Sequence, residues 1–221
     1  MDTIFAEATP PGRGGVSIIR VSGPDARRSV EALVGHLPDA RHAKYRVIQD
    51  GTDVLDSALI LRFDEGASFT GEESAELHLH GAPVVVQRVE QALAAQGLRR
   101  AEAGEFTRRA FENGKIDLSQ AEGFSDLLSA ETEAQRRQAM EIVSGALSIK
   151  ADAWREILLQ AGALVESSVD FADEEVPDEV PREVFELLSS LLAELERELK
   201  GYPAAERLRT CLLYTSDAAD E

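Results

Sequence analysis

The chain has 221 residues, of which 43% are hydrophobic, and it carries a formal net charge of -18 at pH 7. No apolar run approaches the roughly 20 residues that a membrane-spanning helix needs, and the N-terminus lacks a signal-peptide pattern, so we expect a soluble, cytoplasmic protein. The acid is concentrated in the second half, because residues 1–118 contain 14 Lys/Arg against 18 Asp/Glu and residues 119–221 contain 9 against 23. The negative electric field of the second half repels phosphate backbones, which argues against a strong general nucleic-acid binder.

The first half begins with a glycine-rich loop inside the sequence TPPGRGGVSIIRVSG. Its glycines, Gly12, Gly14 and Gly15, precede a strand-like run, whereas a dinucleotide-binding fingerprint places them between a strand and a helix. The Gly114-Lys115 pair lacks the Ser or Thr of a nucleotide-binding P-loop. The sequence therefore gives no sign of a nucleotide cradle.

Strand-like patterns dominate the first half of the chain. The dipeptide Asp50-Gly51 is a typical hairpin turn and predicts antiparallel third and fourth strands. Together the strands predict an α+β fold, with a mixed β-sheet and helices on one face. The five predicted strands cover residues 2–8, 16–21, 45–49, 57–63 and 75–80.

Two helices are predicted between these strands. The first begins at the sequence SGPD, where Ser22 can cap the N-terminus and Asp25 can complete a capping box, and it ends near Gly35. The second runs over about residues 83–96, and Gly97 can cap its C-terminus.

From Asp117 onward the pattern is helical almost to Lys200. Asp117 and Gln120 provide the first cap, and the acidic sequence DFADEEVPDEVP interrupts the helices as a solvated connector rather than a metal site. We predict an N-terminal domain at 1–117, an incomplete helical domain at 118–210, and a non-native tail at 211–221 that contains the single cysteine, Cys211.

Three charged residues stand out as candidates for a binding site. Arg20 lies in an apolar strand, Glu76 lies in the alternating strand AELHLHG, and Lys115 lies at the junction between the two halves. They could converge on a ligand that carries both an amidine-like edge and carboxylates. From the spacing alone, the ordinary explanations are favoured: an edge-strand charge, a cross-strand pair and a surface lysine.

Other polar clusters give weaker signals. His78 and His80 share a strand face, but no matched third ligand supports a metal site, and no catalytic triad is recognisable, so we expect neither a metal site nor catalytic residues in this chain. Local basic pairs are typical of solvated surface; they are Arg99-Arg100, Arg108-Arg109 and Arg136-Arg137.

Four ordered motifs together resemble one family, the tRNA modification GTPases of the MnmE (TrmE) type. The match extends from about residue 2 to residue 210, with Ala103 where the family usually has proline. The resemblance implies that the chain is truncated before a Ras-like GTPase domain, which would bind GTP, magnesium and potassium. The motifs are DTIFAEATPPGRGGVSIIRVSG, SFTGEESAELHLHGAPVV, AGEFTRRAFENGKIDLSQAEGFSDLLSA and VDFADEEV.

The resemblance also implies a fold and a cofactor. The family's N-terminal domain is similar to the folate-binding part of the glycine-cleavage aminomethyltransferase, and it forms a homodimer with tetrahydrofolate, as the 5,10-methylene or 5-formyl form, at the interface. The family's folate contacts carry over to Arg20, Glu76 and Lys115, with Glu76 assigned to the pterin. The glycine loop then approaches a folate pocket or the dimer partner.

For the whole protein, the resemblance implies a flavin-dependent partner, MnmG (GidA), and tRNA as the substrate of their complex. Together they install a (carboxymethyl)aminomethyl group at C5 of the wobble uridine, and folate supplies the one-carbon unit. This chain would supply folate binding and dimerisation. The alternatives are an assembly module without independent folate binding and a free-standing folate-dependent aminomethyltransferase.

Overall fold

The computed structural model describes residues 2–170 and 180–210, so the predictions for the acidic connector and for the tail at 211–221 lie outside the described residues. The chain divides into two compact units, Met1–Ile116 and Asp117–Glu221.

A six-stranded mixed sheet forms the centre of the first unit, which confirms the predicted fold class. The strand order is β3-β4-β5-β2-β1-β6, and every neighbouring pair is antiparallel except the parallel pair of β1 and β6. The strands are β1 (Ile4–Glu7), β2 (Ser17–Ser22), β3 (Lys44–Asp50), β4 (Asp53–Phe63), β5 (Ser74–Leu79) and β6 (Arg99–Arg100).

One face of this sheet is covered by two helices, α1 (Ala26–Val34) and α2 (Pro83–Ala95), and a third helix, α3 (Glu105–Glu112), follows β6. Successive side chains of a strand point to opposite faces, so alternate apolar residues of the strands meet the apolar sides of α1 and α2. The largest fully buried members of this core are Phe5, Ile19, Val21, Val30, Ile48, Ile60, Leu77, Leu79, Val89 and Leu93.

The predicted hairpin between β3 and β4 is confirmed. Asp50 pairs with Asp53, and Gly51 in the turn has a φ of 61°, a left-handed conformation that glycine adopts without strain. The prediction for α2 is also confirmed, since this helix begins at Pro83 and is followed by Gly97 with a φ of 90°.

The predicted capping box of α1 is wrong. Ser22 is the last residue of β2, and its buried hydroxyl lies 2.6 Å from the Thr70 hydroxyl and donates to Glu72. Asp25 occupies the N-cap position without a side-chain hydrogen bond to the helix. The helix therefore begins later than the sequence indicates, because tertiary partners occupy the serine.

The glycine-rich loop packs against its own chain. The Gly14 amide donates to the Gly81 carbonyl at 2.9 Å, and a Cβ atom on Gly81 would lie only 2.4 Å from the Gly14 carbonyl oxygen. The Gly14 carbonyl belongs to backbone that cannot easily shift. The close approach of the two chain segments therefore requires glycine at position 81.

The described residues of the second unit form four helices, α4 (Leu118–Leu128), α5 (Glu133–Val143), α6 (Ala146–Asp170) and α7 (Arg182–Thr210). The capping box predicted for α4 is confirmed, because the Asp117 carboxylate accepts from the Gln120 amide and the Gln120 side chain accepts from the Asp117 amide. Asp117 also accepts hydrogen bonds from Ser119 and Ser148, and these bonds, the Ser148 bond first, lower the pKa of its carboxyl group. Within the described residues, no helix is long and apolar enough to cross a membrane.

Candidate functional site

Arg20 and Glu76 lie together on the face of the sheet opposite α1 and α2. In β2, Ile19 and Val21 enter the core, so Arg20 between them points to the other face. The register of β2 and β5 places Arg20 directly opposite Glu76. The sequence identified both residues, and strand pairing brings them together although they are 56 positions apart.

The two side chains form a half-buried ion pair. Arg20 donates through Nε at 3.0 Å and through Nη2 at 2.8 Å, both to Oε1 of Glu76, and the side chains are 30% and 17% exposed. The other carboxylate oxygen, Oε2, lies 3.4 Å from Nε2 of His78. Among the described residues, Nη1 of Arg20 has no hydrogen-bond partner. The pair therefore presents a donor, Nη1 of Arg20, beside an acceptor, Oε2 of Glu76.

Two aromatic rings flank the guanidinium group of Arg20. Its Cζ atom lies 5.8 Å from the ring centre of Phe69 and 5.7 Å from that of Phe106, within the range of cation–π attraction. A cavity of about 160 Å³ adjoins the pair and is lined by Arg20, Phe63, Ala67, Phe69, Thr70, Ser74 and Glu76. The site thus combines an ion pair with aromatic walls.

Lys115, the third predicted site residue, lies on a neighbouring cavity of about 710 Å³ rather than on the first. Its Nζ donates to the Gly66 carbonyl at 2.7 Å. The residues between the two cavities, 64–72, are called here the Phe69 loop. The structure therefore joins two of the three residues directly and connects the third to them through this loop.

A buried ionic network, which the sequence pattern does not predict, underlies the same region. Arg109 is only 4% exposed and donates to Asp2, Glu72 and Glu105 at 2.7–3.2 Å. Arg99 adds bonds of 2.7 Å to both Asp2 and Glu105. The prediction that these basic pairs are solvated surface is wrong for Arg109; the available signal was the i, i+4 spacing of Glu105 and Arg109.

This network favours the ionised forms of Glu105 and Asp2. The hydrogen bonds from Arg99, the largest cause in each case, lower the pKa of Glu105 to about 2 and that of Asp2 to about 2. Because these pKa values lie below the ordinary carboxyl range, both groups stabilise the fold above that range, and the stabilisation is lost as the pH falls toward 2.

His78, which lies in β5, and His80, which directly follows β5, contact different carboxylates. His78 approaches Glu76, whereas Nδ1 of His80 lies 2.7 Å from Oδ1 of Asp56. Within residues 2–170 and 180–210, no three histidine, cysteine, aspartate or glutamate side chains converge in a way that could hold a metal ion.

Comparison with known proteins matches both halves of the chain. Residues 3–115 fit the family described as the GTP-binding protein TrmE N-terminus, and residues 118–212 fit the family described as the MnmE helical domain. The class of protein is therefore defined by a TrmE-type N-terminal domain followed by an MnmE-type helical domain.

Several relatives agree along nearly the whole chain. The tRNA modification GTPase MnmE of Paracoccus denitrificans is 61% identical over 95% of this chain and 50% of its own length. The protein of the same name from Cereibacter sphaeroides is 54% identical over 95% of this chain and 49% of its own length. That from Caulobacter vibrioides is 52% identical over 94% of this chain and 47% of its own length. The chain belongs to the tRNA modification GTPase MnmE (TrmE) family. It spans about half the length of the curated relatives it matches.

Proposed function

We propose that this chain binds a reduced folate at the Arg20–Glu76 pair and forms a homodimer through its N-terminal domain. The supporting observation is the unused Nη1 donor of Arg20 together with Oε2 of Glu76, which has only a 3.4 Å contact to His78, beside a cavity with aromatic walls. The pteridine edge of tetrahydrofolate presents one carbonyl acceptor beside two N–H donors. Glu76 Oε2 can accept from the ring N–H and the 2-amino group, and Arg20 Nη1 can donate to the carbonyl.

Lys115 would contact the same ligand farther from the pterin. Its ammonium group has three donors and uses one on Gly66, so two remain for an anionic or carbonyl oxygen. The glutamate tail of folate carries carboxylates that suit such a point charge. The acidic side chains around its cavity, Glu65, Glu72 and Glu73, would limit how many tail carboxylates enter there.

The open face of the sheet also supports the proposed dimer. Tyr45 pairs with Leu59 across β3 and β4, and both side chains are exposed on the face opposite the buried Ile60 and Ala58. Val47 on the same face is exposed as well. Exposed apolar side chains on an open sheet face favour burial against another surface, and we propose that a second copy covers this part of the sheet.

In the whole protein, these two domains would serve a tRNA-modifying GTPase. With the flavin-dependent partner MnmG (GidA), it would install a (carboxymethyl)aminomethyl group at C5 of the wobble uridine, and the bound folate would supply the one-carbon unit. GTP, magnesium and potassium would bind to a GTPase domain outside these residues. The domain limits proposed here are 1–117 and 118–210, and the proposed location is the cytoplasm.

Calorimetric titration of the chain with 5-formyltetrahydrofolate, combined with analytical ultracentrifugation, tests this proposal. We expect a dimer that binds the ligand saturably, and much weaker binding of p-aminobenzoylglutamate, which lacks the pterin edge. A dimer that shows no saturable binding would instead indicate an assembly module. Equal affinity for both ligands would remove the assignment of the pterin to Glu76.

A further inference from the structure

One side of α3 organises the candidate folate site. Phe106, Arg109 and Asn113 are spaced i, i+3 and i+7, so they lie on one face of a helical turn that continues to Asn113. Phe106 lies against Arg20, Arg109 binds Glu72 at the end of the Phe69 loop, and Asn113 reaches the middle of that loop.

Polar contacts hold the Phe69 loop on both sides of Phe69 itself. Nδ2 of Asn113 donates to the Thr70 carbonyl at 2.7 Å, and Nζ of Lys115 donates to the Gly66 carbonyl at 2.7 Å. Within the loop, the Gly66 amide donates to the Gly71 carbonyl at 2.8 Å. These contacts fix the backbone that carries the Phe69 ring.

The surroundings of Gly71 show how closely the Phe69 loop packs against Asn113 and Lys115. A Cβ atom at position 71 would lie 3.1 Å from Cε of Lys115 and 3.2 Å from Cβ of Asn113. Gly71 also has a φ of 81°, which L-residues rarely adopt. The loop is therefore seated directly on the residues that follow α3.

We propose that Asn113 is a positioning residue of the folate site, acting through the Phe69 loop. This inference rests on the proposed function. Arg20 has a long side chain with several rotatable bonds, and its guanidinium group is fixed by Glu76 on one side and by the two rings on the others. The hydrogen bonds from Asn113 and Lys115 hold the loop that carries the Phe69 ring. They thereby preorganise the Arg20 donor that faces the pterin. Asn113 does this without lining the cavity beside Arg20, although it lines the neighbouring cavity that contains Lys115.

The test compares Asn113→Ala with Glu112→Ala, a neighbouring exposed substitution that leaves the hydrogen bonds to the Phe69 loop intact. We expect Asn113→Ala to keep the thermal unfolding midpoint near that of the control. In the free protein, the amides of the Phe69 loop should exchange hydrogen faster. The affinity for 5-formyltetrahydrofolate should fall roughly fivefold, as for the loss of one hydrogen bond.

A double-mutant cycle with Phe69→Leu separates action through the loop from direct ligand contact. We expect Asn113→Ala to cause little additional loss of affinity in the Phe69→Leu background. Full additivity, or an affinity equal to that of Glu112→Ala with unchanged loop exchange, would overturn the inference while folate binding by the unsubstituted chain still stood. If the unsubstituted chain bound no folate, the proposed function itself would fail, and this inference would fail with it.

Discussion

Replacing Glu76 with alanine is expected to weaken the binding of 5-formyltetrahydrofolate by roughly 100-fold or more. The substitution removes the acceptor for two pterin donors, and hydrogen bonds to a charged group contribute about 1.5–3 kcal/mol each. It also removes the carboxylate that orients Arg20 through two hydrogen bonds. Calorimetric titration measures the loss directly.

Two further variants make this result interpretable. Glu76→Gln keeps an oxygen that can accept from Arg20 but places an amide donor toward the pterin, so we expect it to bind nearly as poorly as Glu76→Ala. Asp53→Ala removes an exposed carboxylate that pairs with Arg88 at the start of β4, and its affinity should be unchanged. An affinity for Glu76→Ala equal to that of Asp53→Ala would refute the assignment of Glu76 to the ligand.

Replacing Arg109 with methionine is expected to reduce the free energy of unfolding of the first unit by about 3–5 kcal/mol, as for other broken buried ion pairs. Arg109 is almost fully buried and donates to carboxylates from the N-terminus, the Phe69 loop and α3. Without it, Glu72 and Glu105 each lose a charged partner in a site that is largely screened from water. Hydrogen exchange of amides in β2 and β5 measures this loss.

Arg108→Met provides the matched control, since it removes the same chemical group from the adjacent position. The Arg108 side chain is 55% exposed, and its ion pairs with Glu102, Glu105 and Glu112 are 3.5–4.0 Å long. Exposed pairs contribute about 0–1 kcal/mol, so the control should unfold almost like the unsubstituted chain. Equal losses for both variants would show that the Arg109 network does not stabilise the fold as described.

The strands of the first unit were predictable because their apolar residues alternate and because turn residues separate them. β5 is an example: Leu77 and Leu79 enter the core, whereas Glu76 and His78 point to the other face. Local pattern was sufficient here because the two faces of the sheet differ in polarity.

The helix α3 was missed because its buried side is ionic. Glu105 and Arg109 are buried where an amphipathic helix usually carries apolar residues, so the hydrophobic pattern of this stretch does not predict a helix. The strand β6 was missed because two exposed arginines carry no strand pattern. Ser22 was assigned to a helix cap because its real partners, Thr70 and Glu72, are about 50 positions away and cannot be inferred locally.

The site residues were identifiable as types, but their arrangement was not. Arg20 in an otherwise apolar strand and Glu76 in an alternating strand stand out as candidates, but their types do not distinguish a cross-strand pair from a ligand contact. Their pairing depends on the register of β2 with β5, and the place of Lys115 depends on the path of the Phe69 loop. Both are consequences of long-range packing that spacing along the chain does not encode.

A crystal structure of this chain with 5-formyltetrahydrofolate tests the central claim most directly. We expect the pterin in the cavity beside Phe63 and Phe69, with its 2-amino group and ring N–H donating to the carboxylate of Glu76. A ligand bound elsewhere, with Glu76 contacting only Arg20 and His78, would contradict it.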